Sequence, residues 1–195
     1  MPTIRKAIAS FFIAAALCAV FALELAHVAP ENNAELLRLG ALPDSGVIQG
    51  EYWRLVTFGF LHWNTLHLAL NVACLLYAGS IVERRVASWK ALLLFLGASV
   101  FSGVAILLKH HFFPGAGVTV GASGGAFAFL GAAVVLIRRV PPVKIGAAKW
   151  LSGVLAVALA ISLIRDVSMV GHLAGLLIGI PVGYLVRTKP AAQIS

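Results

Sequence analysis

Six stretches of this chain are long and apolar, and between them they contain one formal charge, Glu24. They run roughly over Ala7–Val28, Leu66–Val82, Ala91–Leu108, Ala122–Ile137, Trp150–Ile164 and Val167–Val186. A helix needs about 20 predominantly apolar residues to cross the hydrocarbon core of a bilayer. The pattern predicts an all-α membrane protein, a six-helix transmembrane bundle forming a single domain over residues 1–195. Composition agrees: 61% of the 195 residues are hydrophobic and 11% charged, whereas a soluble domain is about half apolar and about a quarter charged. Too few polar groups exist to cover such a chain in water. That excludes a soluble globular enzyme, a disordered chain and a disulfide scaffold. Cys18 and Cys74 fall inside apolar runs and read as small buried hydrophobes.

The net charge of +8 does not imply a nucleic-acid partner, because the basic residues sit in short clusters between the apolar runs. Clusters of that kind set topology, the lysine- and arginine-rich loops staying inside. Arg5, Lys6, Arg84, Arg85, Lys90, Arg138, Arg139, Lys144, Lys149, Arg187 and Lys189 fall on one side. Arg38, Arg54, Lys109 and Arg165 fall on the other. Both termini are therefore expected in the cytoplasm of a cell (inner) membrane protein. The first apolar run exceeds the ~7–15 residues of a signal-peptide core, so it is expected to be a retained helix. The longest connection, roughly Ala29–Thr65, lies outside and is itself apolar, which predicts packing against the bundle or the outer leaflet. His62, His110 and His111 are expected in outer loops.

A strongly polar residue within a spanning helix is costly and is a functional hypothesis by default. Four stand out: His67 and Asn71 in the second run, Ser123 in the fourth and His172 in the sixth. His67 and Asn71 are four residues apart and share one helix face. In the topology above these three helices run the same way, and each polar residue lies about five residues past the outer end, roughly 8 Å deep. Alone, each has a plain structural reading: a serine commonly bonds back to its own helix, and Asn and His can join helices by hydrogen bonds. Their shared depth argues for a site.

Ser123 sits in Gly121-Ala122-Ser123-Gly124-Gly125 at a predicted helix start, where free N–H groups and a positive dipole end suit a developing oxyanion. Gly171, Gly175, Gly179 and Gly183 recur every fourth residue beside His172, a small-residue face that lets two helices approach closely. If the fourth helix packs there, Ser123 gains the adjacent base that a serine nucleophile requires. His67 and Asn71 then supply oxyanion donors. Asp166 reads as a helix cap, so the expectation is a Ser–His dyad. Ser99, Ser102, Ser162 and Ser168 lack the glycine context and are expected to be dispensable for chemistry.

These residues resemble the rhomboid family of intramembrane serine proteases, over about Glu51 to Gly183 with a core of about 51–187. Trp53-Arg54 is similar to the family's Trp-Arg pair, and His62, His67 and Asn71 to its H-x4-H-x3-N signature. Glu83-Arg84-Arg85 resembles its acidic-basic turn, Gly121-Ala122-Ser123-Gly124 its G-x-S-G, and His172 with Gly175 and Gly179 its H-x2-G-x3-G. The resemblance implies Ser123 as nucleophile and His172 as general base, with His67, Asn71 and the Ser123 N–H as oxyanion hole. It implies no cofactor or metal, and as partners the lipid bilayer and membrane proteins with a transmembrane helix, cut near its outer end. The chain departs from the pattern at Ala128, where a glycine is common, and at Phe127, where some members carry a tyrosine stacked on the histidine. The family's six-helix sorting proteases are one subgroup the compact chain suits. Alternatives are a catalytically inactive rhomboid-like membrane-helix-binding protein, a small transporter, or a haem or metal protein using His62, His67, His110, His111 and His172.

Overall fold

The computed structural model describes residues 7–27, 32–46, 48–139 and 168–186, with the isolated positions 153 and 156. Their long helices are α1 (Ile8–His27), α4 (Thr65–Val82), α5 (Ser88–Phe112), α6 (Ser123–Arg139) and α7 (Met169–Leu185). Between α1 and α4 lie short α2 (Asn33–Leu39), strand β1 (Leu42–Pro43), α3 (Arg54–Thr57) and a 3₁₀ turn at Phe58–Phe60. Strand β2 (Val118–Thr119) precedes α6 and pairs antiparallel with β1, Leu42 opposite Thr119. The predicted span at Trp150–Ile164 lies outside the described residues, as do Asp166, Arg187 and Lys189.

Helices α1, α4 and α5 are long and apolar enough to cross a membrane, with mean hydropathies of 2.3, 1.7 and 2.5 in their best windows. Their large apolar side chains face outward: Phe11, Phe12, Leu23, Leu66, Leu70, Leu93 and Leu108 are all more than half exposed. Apolar surface of that extent is tolerated against lipid and not against water, and the chain is a membrane protein. Cys18 is exposed on this surface, correcting the expectation that it is buried. Helix α6 is the opposite case: every residue from Gly124 to Ala133 is buried. Its alternation of Gly, Ala and Phe lets neighbours close on it from several sides.

Glycine contacts give the helix directions. A Cβ on Gly175 would lie 2.2 Å from the Gly124 carbonyl, one on Gly179 2.0 Å from that of Ala128, and one on Gly183 2.9 Å from that of Ala132. Positions rise together along both chains, so α6 and α7 run parallel with touching backbones. Between α4 and α6, His67 meets Gly121 and Gly79 meets Phe129, again rising together. The three helices bearing the polar residues therefore run the same way, as expected. Helix α5 is antiparallel to α6: Ser102 packs on Gly124 and Phe95 on Gly125.

At the other end of the bundle, Glu83 follows α4 and caps the start of α1. Its carboxylate accepts from the N–H groups of Ala9 (2.9 Å) and Ser10 (2.8 Å) and from Ser10 Oγ (2.6 Å). A carboxylate there satisfies orphan helix donors and meets the positive dipole end. Nearby, Arg139 at the end of α6 donates to the terminal carbonyls of Gly183 (2.8 Å) and Tyr184 (2.6 Å) in α7.

Candidate active site

Gly121 sets the entry to α6. Its φ of +130° is a conformation L side chains rarely adopt, and its N–H donates to the Phe58 carbonyl at 2.9 Å. A Cβ there would lie 2.7 Å from Cε1 and 2.9 Å from Nε2 of His67. The His67 ring thus lies against the loop that delivers Ser123, the first residue of α6. The first N–H groups of a helix have no intrahelical acceptor, so Ser123 stands at a place with free donors.

His172 enters from α7, one turn past the Ser168 cap, whose Oγ accepts from the Gly171 N–H at 3.2 Å. Its imidazole is buried and lies flat on Phe127, with ring centroids 4.1 Å apart and planes 6° apart. Phe127 is four residues after Ser123, hence on the same face of α6 one turn further along. The seam is clamped at this level by Gly175 against Gly124, and by Ser102 Oγ of α5 donating to the Gly171 carbonyl at 2.9 Å. The aromatic platform expected at Phe127 is present, without the hydroxyl. At Ala128, the backbone carries the close approach to Gly179 that the departure from glycine put in question.

Asn71 is buried one turn past His67, and its Nδ2 donates to the His67 carbonyl at 3.0 Å. One amide hydrogen is thereby engaged within α4 and the second is left for another acceptor. A cavity of about 1000 Å³ is lined by His67, Gly121, Ser123, Gly124, Ser102 and Gly171, and also by Asp44, Lys109, His110 and Thr119.

Arg54 opens α3 and Trp53 is its N-cap, both outside this lining. Buried Arg54 donates to Glu51 at 2.8 Å and to the carbonyls of Leu37 and Ala41, beneath its own Trp53 ring at 4.7 Å. The pair gathers α2, β1 and α3 into a cap over the site. His110 and His111 are in the last turn of α5 and not in an outer loop, because that helix runs on to Phe112. His110 is buried, with Nδ1 3.1 Å from Asp44. His62 is also buried; burial and the neighbouring His67 push its imidazole down to about 3, and its neutral ring faces the Phe60 carbonyl through Nδ1 at 3.2 Å. Ser102, expected only to be dispensable for chemistry, holds the Gly171 carbonyl, and the Asp44–His110 pair joins residues 66 positions apart that no local pattern connects. No group of His, Cys, Asp and Glu suited to a metal ion occurs among the described residues.

The fold and these juxtapositions define a polytopic membrane protein with polar groups gathered at one end of three parallel helices. The family model of the Rhomboid domain matches residues 49–189, and the chain belongs to the rhomboid family. It is similar to "Rhomboid protease GluP" of Bacillus subtilis (strain 168), 37% identical over 121 residues, covering 62% of this chain and 23% of that protein. It is similar to "RHOMBOID-like protein 1" of Arabidopsis thaliana, 30% identical over 82% of this chain and 41% of that protein. "Rhomboid-type serine protease B" of Aspergillus fumigatus is 29% identical over 82% of this chain and 61% of its own length. The chain spans less than two thirds of each of these relatives.

Proposed function

We propose that this chain is an intramembrane serine endopeptidase that hydrolyses peptide bonds in or near the transmembrane helix of membrane protein substrates. The observation that carries the reading is His172 stacked flat on Phe127, one helical turn from Ser123, where α6 and α7 touch through Gly124 and Gly175. The stack fixes the ring plane, and the backbone contact fixes its depth. In this reading Ser123 Oγ attacks the scissile carbonyl carbon and His172 takes its proton. The oxyanion is met by the Ser123 N–H, the second Asn71 amide hydrogen and His67, groups that can donate to developing negative charge. The C–N bond then breaks, His172 returns the proton to the leaving amine, and water hydrolyses the acyl-enzyme by the same route.

The residues form one six-helix unit with both termini cytoplasmic, so that the site opens to the outer face; the charge distribution supports this orientation. The chemistry uses side chains and backbone alone, without cofactor or metal. The test is labelling by a serine-reactive fluorophosphonate together with cleavage of a reconstituted helical substrate, each compared with Ser123→Ala. Labelling and cleavage that both vanish in the variant are the expected result. Cleavage continuing at a comparable rate would remove the assignment and leave the helix-binding alternative.

A further inference from the structure

Glu24 is the one acid within the apolar runs, and it is buried against the site's flank. Its Oε2 accepts from the His62 N–H at 3.4 Å, while its Oε1 is buried without a hydrogen-bond partner. His62 is buried too, its Nδ1 turned to the Phe60 carbonyl and its Nε2 buried without a partner. Its ring meets the His67 ring edge to face, with centroids 5.1 Å apart. His67 in turn lies on Gly121, two residues before Ser123. A buried carboxyl and a buried imidazole, each with an unpartnered atom, are costly. Packing alone would be served better by leucine and phenylalanine.

We propose that Glu24 of α1 is a positioning residue for His67, acting through His62. The carboxyl holds the backbone of His62, the Phe60 carbonyl orients its ring, and the ring edge sets the tilt of His67 over Gly121. An oxyanion donor misplaced by about 1 Å loses on the order of 100-fold in rate, so a side chain on the first helix tunes a site built by the fourth, sixth and seventh.

The proposal rests on the reading of His67 as an oxyanion donor, and two readouts separate their failures. In the full chain in detergent, Glu24→Leu is expected to lower kcat about 10- to 100-fold with KM and Tm little changed. Glu24→Gln, which keeps an acceptor oxygen, is expected to restore most of it. His62→Phe is expected to match Glu24→Leu, with no further loss in the double variant. Independently of activity, the ring resonances of His67 in histidine-labelled protein, assigned by their loss in His67→Ala, are expected to move in Glu24→Leu and return in Glu24→Gln. Unmoved His67 resonances overturn the proposal, whatever the activity does. Moved resonances with unchanged kcat keep the contact and overturn the role of His67 in turnover. A loss confined to KM, or one tracking Tm across both Glu24 variants, overturns the positioning role.

Discussion

The seam between α6 and α7 and the cap formed by α2, β1 and α3 both border the site, yet they are held by different forces. At the seam backbone approaches backbone: Gly175, Gly179 and Gly183 leave no room for a Cβ against Gly124, Ala128 and Ala132. The cap has two small apolar clusters, Leu36 and Ala41 with Leu61, Val118 and Val120, and Leu42 with Phe58 and Ile106, and polar ties join its segments. Arg54 spans to Leu37, Ala41 and Glu51, and Thr57 Oγ1 donates to the Gly40 carbonyl at 2.9 Å. Thr119 Oγ1 donates to Asp44 at 2.8 Å. Lipid offers no hydrophobic gain for bringing two spanning helices together, so close van der Waals contact must do it. The cap's ties include hydrogen bonds, each of modest net worth. The seam is therefore expected to be rigid and intolerant, and the cap adjustable.

The largest effects are expected of the proposed reacting pair on the seam. Ser123→Ala and His172→Ala are each expected to reduce cleavage to background with the fold retained, and the double variant to be no worse, because the two act as a unit. Clearly additive losses in single-turnover cleavage would separate them. In the wild type, cleavage is expected to fall as pH drops through the free-enzyme pKa of the proposed base, since only a neutral imidazole accepts the proton.

Next is the donor beside the seam. Asn71→Ala is expected to cost on the order of 100- to 1000-fold in kcat, with substrate binding, measured in the Ser123→Ala background, little changed. Weakened binding with an intact chemical step would make Asn71 a docking group.

Gly175→Val breaks the seam sterically. Overpacking costs about 1–3 kcal/mol and at times more; the 2.2 Å clash with the Gly124 carbonyl, which is backbone, places this variant at the upper end. A fall in detergent Tm together with activity is expected, and an unchanged Tm would contradict the rigid seam. The cap counterpart, Arg54→Ala, is expected to lower Tm while costing activity less than tenfold, a smaller loss than typical of an oxyanion donor.

The effect confined to acid conditions, and absent at neutral pH, is a pH slope. The His62 imidazole sits at about 3 when folded against an ordinary 6.5, so the unfolded chain binds the extra proton first. Stability is therefore complete above pH 6.5 and declines as pH falls toward 3, by at most about 1.4 kcal/mol per pH unit. His62→Phe is expected to flatten the fall of Tm across that window.

Helix positions were legible because apolar length is a one-dimensional property. The predicted runs at Ala7–Val28, Leu66–Val82 and Val167–Val186 match α1, α4 and α7 within a few residues at each end. The run ending at Leu108 fell short of Phe112 because the last turn of α5 carries Lys109, His110 and His111, whose polarity hides a helix that continues beneath the cap. Gly121, Gly124, Gly175 and Gly179 could be picked out as close-approach positions, but not what approaches them. The glycine period marks a face without naming its partner.

What the residues determine by themselves, then, is where the apolar runs of α1, α4, α5, α6 and α7 fall, the position of His67, Asn71, Ser123 and His172 along them, and the motifs that mark the family. Those follow from local composition and from the 1.5 Å rise of a helix. Only the tertiary structure decided that His172 lies on Phe127, that Ser102 holds Gly171, that Glu83 caps α1, and that Glu24 reaches His62 across 38 positions of sequence. Each is a contact between segments far apart in the chain, set by which faces pack most closely, and no periodicity within either segment carries that information.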